Sequence, residues 1–273
     1  MVYVVKWDGR REPFQTEKVE RTLLRLGAPL DVAEKIAGQI EQEVYEGIST
    51  QKILDTAYDR LEEHKPEVKL RRDFRAALAE MRSVPDFEEY VRIVLRAHGY
   101  KVSSNRVIEG FCVSHEIDGI AEKDGKILYL EVKHHSDPHV YTPFDVTLAV
   151  KAKWDDMKKG SKKGLNDQPF DGVLIVCNTK LTEHARKYAN CVGICHLGWN
   201  EPFGHGFEKL IEEKNLYPVT ILKSLTEEER INLLDAGILT LRQLIIEGLA
   251  ELKISKIRRT KLYEEAKRIL CVP

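Results

Sequence analysis

The dipeptide Asp124-Gly125 constrains the fold of this chain more than any other short feature. Aspartate followed by glycine is a strong signal for a two-residue β-hairpin turn, because a type I′ turn needs positive φ at both central residues. The flanking segments 116–122 and 127–133 have strand-like composition. A two-residue loop pairs Lys123 with Lys126, and this pairing sets the register of the whole hairpin.

The register assigns residues to the two faces of the hairpin. One face is apolar and belongs in a core; its opposed pairs are Ile117 with Val132, Gly119 with Leu130, and Ala121 with Leu128. On the other face Asp118 lies opposite Glu131, and Glu116 lies opposite Lys133. Two adjacent carboxylates repel unless a positive group lies between them, and a divalent cation that prefers oxygen ligands meets that need. The alternative is an exposed hairpin with a solvated charged face.

Composition limits the classes of protein that fit. The 273-residue chain has 43 basic and 44 acidic residues, so its net charge of −1 gives no global nucleic-acid signal and any basic surface must be local. Five cysteines without regular spacing argue against a disulfide framework and for a reducing cytoplasm. The longest apolar run, Gly172–Cys177, has the length of a strand, so we expect a cytoplasmic protein with no membrane segment.

The chain divides into three predicted domains, 1–83, 84–217 and 218–273. The first has a strand at 2–6 and then mainly helices; Asp31 with Glu34 three residues later indicates a capping box at one of them. The second alternates helices and strands, as α/β domains do. Its strands are predicted at 110–113, 116–122, 127–133 and 172–177, and its helices at 85–98, 144–159 and 182–190. The third is predicted to be all-helical.

The hairpin residues resemble a nuclease motif. Asp118, followed by Glu131-Val132-Lys133 on the next strand, resembles the PD-(D/E)XK motif. Further likeness is to Mrr-like restriction endonucleases and archaeal Holliday junction resolvases, over 87–91, 99–102, 172–179 and 181–189. In the resolvases a glutamate occupies the position of Glu88, eleven residues before Gly99. Ile117 stands where the motif has proline, and segment 197–206 is unlike the usual Mrr ending.

This resemblance implies a restriction-endonuclease-like core, a mixed sheet flanked by helices. It implies catalytic roles for Glu88, Asp118, Glu131 and Lys133. Asp118 and Glu131 would hold Mg²⁺ or Mn²⁺, while Lys133 would orient or help deprotonate a water.

The first domain resembles an ATP-cone, the nucleotide-sensing domain of ribonucleotide reductases. The residues that carry the likeness are Val4-Val5-Lys6-Trp7-Asp8-Gly9-Arg10, Glu12, Phe14, Lys18 and Thr50. The resemblance implies that Lys6 and Lys18 hold phosphates and that Thr50 contacts base or ribose, with Val4 and Glu12 completing a site for ATP or dATP. Trp7 stands where the family has arginine, which removes a bidentate phosphate donor. The alternative is a helical packing domain that has lost its ligand.

The third domain resembles a pair of helix-hairpin-helix units, on residues 233–238 and 240–241. The family's glycine pair is missing between Leu252 and Ile257, so a plain solvated helix is the alternative. Basic residues there and in a second run at 151–163 suit phosphate contacts. The predicted DNA-binding residues are Lys151, Lys153, Lys256, Arg258, Arg259 and Lys261. Trp154, within the second run, is assigned to the core rather than to stacking on a base.

Other titratable residues carry weaker signals. Cys191, Cys195 and His196 lack the paired spacing of a zinc site, and we interpret the two cysteines as buried thiols. His134 and His135 follow Lys133 in a loop that we expect to be exposed; the alternative is that they support the site or face the substrate.

Together these features predict a metal-dependent endodeoxyribonuclease that responds to ATP or a deoxynucleotide. The alternative is a non-catalytic, nucleotide-responsive DNA-binding regulator. DNA and a nucleotide are the predicted partners, with a homodimer left open as the assembly.

Overall fold

The computed structural model describes residues 2–6, 9–26, 28–64, 74–247 and 254–270. They form two compact units, Met1–Asp73 and Phe74–Pro273. Among the described residues of the first unit, an antiparallel strand pair precedes three helices. These elements are β1 (Tyr3–Val5), β2 (Arg11–Pro13), α1 (Thr16–Arg25), α2 (Leu30–Glu43) and α3 (Thr50–His64).

One apolar side of each helix fills the core of the first unit, with Leu23, Ile36 and Leu61 almost fully buried. A bridge between Val5 and Ser49 ties β1 to the start of α3. The predicted capping box at Asp31 is wrong, because α2 begins at Leu30 with Pro29 before it and has no side-chain cap. Trp7, Asp8 and Gly27 lie outside the described residues.

The second unit opens with helical residues 74–79 and a single turn, Ser83–Phe87. Its strands are β3 (Lys101–Val102), β4 (Arg106–Glu109), β5 (Ser114–Ile117), β6 (Gly119–Lys123), β7 (Lys126–Lys133), β8 (Tyr141–Thr142), β9 (Gly172–Cys177), β10 (Lys180–Leu181) and β11 (Ile194–Leu197). Its helices are α4 (Glu88–Ala97), α5 (Phe144–Lys162), α6 (Glu183–Val192), α7 (Phe207–Glu213), α8 (Glu227–Asp235), α9 (Leu241–Glu247) and α10 (Lys256–Leu270).

A five-stranded mixed sheet, in the order β11-β9-β7-β6-β3, organises this unit. β11, β9 and β7 run parallel, whereas β6 is antiparallel to both of its neighbours. Helix α5 makes the crossover between β7 and β9 that two parallel neighbours require. The predicted mixed α/β class is therefore confirmed.

The hairpin register is also confirmed for β6 and β7. Asp124 has φ of 52° and Gly125 has φ of 75°, the positive values that a type I′ turn needs. Lys123 faces Lys126, and Gly119 faces Leu130.

The predicted strand 116–122 is broken at Asp118. The ladder with β7 ends at Gly119, and the preceding strand β5 pairs with β4 instead. Glu116 therefore faces Val107, and the predicted pair of Glu116 with Lys133 is wrong. Residues 110–113, predicted as a strand, form the turn between β4 and β5.

Both faces of the sheet are covered. Tyr129 packs with Val173 and Ile175 in a core that includes Trp154 of α5, which confirms the core assignment of Trp154. Leu130, Leu174 and Val176, which point the other way, are equally buried. Ile117 lies in the Tyr129 cluster, so its predicted place opposite Val132 is wrong. The reason is the break at Asp118, which separates β5 from the β6–β7 register.

The β4–β5 hairpin is fastened to α5 by Asp156. Its carboxylate accepts hydrogen bonds from the Cys112 N–H and from the His115 ring, both at 2.9 Å. A Cβ atom on Gly160 of α5 would lie 2.8 Å from the carbonyl carbon of Gly110, so only glycine permits this approach. The helix therefore sets the position of the hairpin that leads into Asp118.

In the described residues 219–247 and 254–270, the last helices form a small helical region, as predicted. A capping box of Thr226 and Glu229 starts α8, and Gly237, with φ of 74°, follows its end. Gly248, Leu252 and Lys253 lie outside the described residues. Within the parts of the chain that the structure describes, no helix is long and apolar enough to cross a membrane.

Candidate functional site

Three elements carry the four predicted catalytic residues. Glu131 and Lys133 are next-but-one neighbours on β7, and Lys133 Nζ lies 2.7 Å from Glu131 Oε1. Asp118 occupies the break between β5 and β6. Glu88 is the first residue of α4 and is 7% exposed, so it is a buried carboxylate rather than a surface one.

Hydrogen bonds hold Asp118 in place from two sides. Its Oδ2 accepts the Val132 N–H at 2.6 Å, which joins the carboxylate to β7 where the ladder has ended. Its main-chain oxygen accepts a hydrogen bond from Arg92 at 2.8 Å. Arg92 is 5% exposed, and its Nη1 lies 3.6 Å from Glu88 Oε2. Arg92 is not among the predicted site residues, although its position one helical turn after Glu88 places the two side chains on the same face of the helix.

The charges of these residues are strongly coupled. Burial raises the pKa of Asp118 to about 6, and the carboxylates of Glu131 and Glu88 add to the rise. Burial by itself lowers the pKa of Lys133, but Glu131, Asp118 and Glu88 outweigh it and the net shift is upward. The site is thus a buried acidic cluster in which the pKa of one carboxylate, Asp118, lies close to neutral pH.

Glu131 is the most enclosed member, at 3% exposed. The Tyr129 hydroxyl donates a hydrogen bond to its Oε2. Lys153 Nζ, from α5, lies 3.5 Å from the same oxygen. Lys153, predicted as a DNA-binding residue of a basic run that flanks the site, therefore contacts the acidic cluster directly. Tyr129, which lies two residues before Glu131 on the same face of β7, was also missed.

The donor set suits a hard cation that retains water. Among the residues that the structure describes, no three His, Cys, Asp or Glu side chains converge as a ready-made metal site. Two carboxylates, Asp118 and Glu131, are nevertheless a fitting pair, because Mg²⁺ is usually bound by one or two carboxylates together with waters and substrate phosphates. Burial, with the nearby carboxylates of Glu131 and Glu88, raises the pKa of Asp118, and a cation bound at its carboxylate would favour the ionised form.

The neighbouring histidines are tied into the fold. The His134 Nε2 is 3.0 Å from the Leu78 carbonyl, and the His135 Nε2 is 3.0 Å from the Thr142 hydroxyl. Burial lowers the pKa of both rings. The expectation of an exposed histidine loop is therefore wrong for these two residues. Cys191 and Cys195 are exposed, so their interpretation as buried thiols is wrong as well.

Segment 197–206 is held to the rest of the second unit by its buried residue Glu201. Glu201 is 4% exposed; it accepts the Leu181 N–H at 2.8 Å and an Arg186 donor at 3.0 Å. These bonds fix the segment against β10 and α6.

The predicted DNA-binding cations differ in whether they have hydrogen-bond or ion-pair partners within the protein. Lys151 pairs with Asp155. Arg258 donates to Glu229 at 2.8 Å and also to the Ser224 carbonyl, so its charge is used inside the fold and we withdraw it from the predicted DNA surface. Arg259 donates to the Ile254 carbonyl. Lys256 and Lys261 are exposed.

Of the predicted nucleotide-binding residues of the first unit, the two lysines meet at Glu12. Lys6 Nζ lies 2.7 Å and Lys18 Nζ 3.1 Å from Glu12 Oε1. The hydrogen bond from Lys6, together with that from Lys18, lowers the pKa of Glu12 despite partial burial. Thr50 begins α3 next to Ser49, which bridges to β1. Val4 is 2% exposed, so its side chain belongs to the core.

Comparisons with known proteins identify both ends of the chain. Residues 2–77 match the ATP-cone domain, which implies nucleotide binding, and residues 217–270 match the family described as AF1548-like, C-terminal. An uncharacterized protein of Archaeoglobus fulgidus is 36% identical over 180 residues, which cover 65% of this chain and 98% of that protein. The crystal structure of the protein of unknown function AF1548 aligns with a TM-score of 0.55 at 34% identity, covering 68% of this chain and 98% of that one. The chain therefore belongs to the AF1548-like family and carries an ATP-cone domain at its N-terminus.

Proposed function

We propose that this protein is a metal-dependent endodeoxyribonuclease of the PD-(D/E)XK class whose activity responds to ATP or dATP. The observation that carries the proposal is the buried cluster of Glu88, Asp118 and Glu131, with Lys133 beside Glu131 on β7. A restriction-endonuclease-like core, of the kind found in Mrr enzymes and archaeal resolvases, is part of the proposal. It is supported by the mixed sheet, in which Asp118 lies where the β6–β7 ladder ends and accepts a hydrogen bond from β7, the strand that carries Glu131.

Each residue of the cluster has a proposed role. Asp118 and Glu131 would hold Mg²⁺ or Mn²⁺, which when bound polarises a phosphate oxygen and acidifies water. Lys133 lies beside Glu131 and would hold the attacking water by hydrogen bonding and stabilise negative charge that develops on the phosphate. Arg92 would keep Asp118 and Glu88 in position.

The reaction would be hydrolysis of a phosphodiester bond. The water oxygen forms a bond to phosphorus, the phosphorus bond to the leaving sugar oxygen breaks, and that oxygen ends with a proton. A phosphodiester is an anion, so an acidic cluster alone would repel it. Lys133 and Lys153, both partly exposed beside Glu131, are the cations that would receive it.

The test is cleavage of plasmid, four-way junction and single-stranded DNA by the purified full chain, with Mg²⁺ or Mn²⁺ and with or without ATP. Asp118→Ala and Lys133→Ala should abolish or cripple cleavage while DNA binding persists. Asp124→Asn is a matched control, because it removes a carboxylate from the hairpin turn and asparagine tolerates positive φ.

Equal cleavage by the parent protein and Asp118→Ala would place the reaction elsewhere. Absence of cleavage on every substrate, combined with nucleotide-dependent DNA binding, would favour a non-catalytic DNA-binding regulator. Cleavage that is indifferent to ATP and dATP would leave the nuclease and remove the regulatory role of the ATP-cone.

A further inference from the structure

The cations around the acidic cluster are held with unequal strength. Arg92 is the most firmly held, since it also hydrogen-bonds Glu89 at 2.7 Å and Asn105 at 3.0 Å. Lys133 makes a hydrogen-bond-length contact of 2.7 Å with Glu131. Lys153 makes two longer contacts, each of 3.5 Å, with Glu131 Oε2 and with the Glu116 carbonyl. Lys153 is therefore the cation that moves away at least cost.

Both oxygens of Glu131 are occupied in this arrangement. Lys133 lies on Oε1, whereas the Tyr129 hydroxyl and Lys153 lie on Oε2. These three partners take up most of the roughly four lone-pair sites of the carboxylate, and the two ammonium charges oppose the approach of a divalent cation. Tyr129 is fully buried and Lys133 lies 2.7 Å from Glu131 on the same strand, whereas Lys153 reaches Glu131 from a helix at 3.5 Å.

We propose that Lys153 is the exchangeable counter-ion of Glu131. It neutralises Glu131 when no divalent cation is bound, and it leaves Glu131 to contact the DNA phosphate when one is bound. Lysine suits this exchange because its ammonium is a compact charge on a flexible four-carbon stem. The second half of the inference rests on the proposed nuclease function; the first half does not.

The test compares Lys153→Met with Lys151→Met in the full chain. Both substitutions remove one positive charge from α5, but Lys151 pairs with Asp155 and lies over the Trp154 ring rather than on Glu131. The first measurement is Mn²⁺ affinity by calorimetry without DNA. Lys153→Met should bind Mn²⁺ about fivefold more tightly than Lys151→Met, because a partly exposed competing ion pair has been removed. The second measurement is DNA cleavage with Mn²⁺, which Lys153→Met should slow relative to the unmutated chain.

The two measurements separate the two proposals. Equal or weaker Mn²⁺ affinity in Lys153→Met, or no Mn²⁺ binding by either variant, would overturn the counter-ion assignment. Tighter Mn²⁺ binding in a protein that cuts no DNA would support that assignment and reject the nuclease. Circular dichroism of both variants checks that each is folded.

Discussion

At the scale of single residues, Asp118 links the architecture to the candidate chemistry. Its position ends the β6–β7 ladder, and its carboxylate takes the Val132 N–H beyond that end. The same carboxylate is buried beside Glu131 and Glu88, which is the physical cause of its raised pKa. A group that destabilises the fold when ionised is expected at a functional site rather than in a purely structural core.

Asp118→Asn should therefore stabilise the protein in the absence of divalent cations. The folded-state pKa of Asp118, about 6, exceeds the ordinary 3.8, so the ionised form at pH 8 costs folding free energy and this cost disappears as pH falls below about 4. Asparagine keeps an oxygen for the Val132 N–H and removes the charge. The expected gain at pH 8 is about 1–3 kcal/mol, from a shift of about two pKa units.

Urea unfolding in a chelating buffer at pH 8 and at pH 4 measures this gain, with Asp124→Asn as the control. A gain at pH 8 that shrinks at pH 4 is the expected pattern. Unchanged or lower stability of Asp118→Asn at pH 8 would mean that the carboxylate is not under electrostatic strain.

At the scale of elements, side-chain hydrogen bonds rather than sheet pairing hold the β4–β5 hairpin to α5 and α10 to α8. Asp156 of α5 holds the β4–β5 turn, and Arg258 of α10 holds Glu229 of α8. Both carboxylates accept several hydrogen bonds, and this lowers the pKa of each to about 2. For Glu229 the hydrogen bond from Arg258 is the main cause.

Glu229→Gln should weaken the docking of α10 on α8. Its folded pKa is depressed from 4.5 to about 2, so the ion pair stabilises the fold above about pH 4.5 and is lost as pH falls toward 2. At pH 7 the expected loss is about 1–3 kcal/mol, because a charge-assisted hydrogen bond is replaced by a weaker one.

Glu228→Gln is the matched control, since Glu228 is exposed on the same helix. Thermal unfolding at pH 7 should separate the two variants, and at pH 2.5 the difference should narrow. A similar melting temperature for both at pH 7 would show that the Arg258 pair contributes little.

At the scale of the whole molecule, the chain combines two compact units that match different families. The first is an ATP-cone domain, in which Lys6 and Lys18 face one carboxylate, Glu12. The second carries the acidic cluster on a mixed sheet. A nucleotide site and a candidate catalytic site thus lie in separate units of one chain.

Lys6→Ala and Lys18→Ala should each weaken ATP binding by the full chain, roughly tenfold, because each removes a charge-assisted contact to phosphate. Lys35→Ala is the control, since Lys35 is exposed on α2 of the same unit. Calorimetry with ATP and with dATP makes the measurement. If the unmutated chain binds neither nucleotide, the replacement of arginine by Trp7 has removed the sensing role.

The sequence alone determined the features that depend on local chemistry. The Asp124-Gly125 turn set the β6–β7 register because turn geometry is a property of two residues, and Lys133 followed Glu131 on one face because side chains alternate along a strand. The mixed α/β class followed from the alternation of helices and strands. The ATP-cone was recognisable because much of its motif, from Val4 to Arg10, is contiguous in the sequence.

Only the tertiary structure decided which distant groups meet. The strand break at Asp118 depends on β5 pairing with β4, and strand pairing is chosen by the packing of the whole unit, here by α5 against the β4–β5 hairpin. Lys153 and Arg258 were both predicted to bind DNA, yet Lys153 contacts Glu131 and Arg258 contacts Glu229. The sequence does not show which partner a charged side chain will contact, because an ion pair forms between residues that the fold brings together.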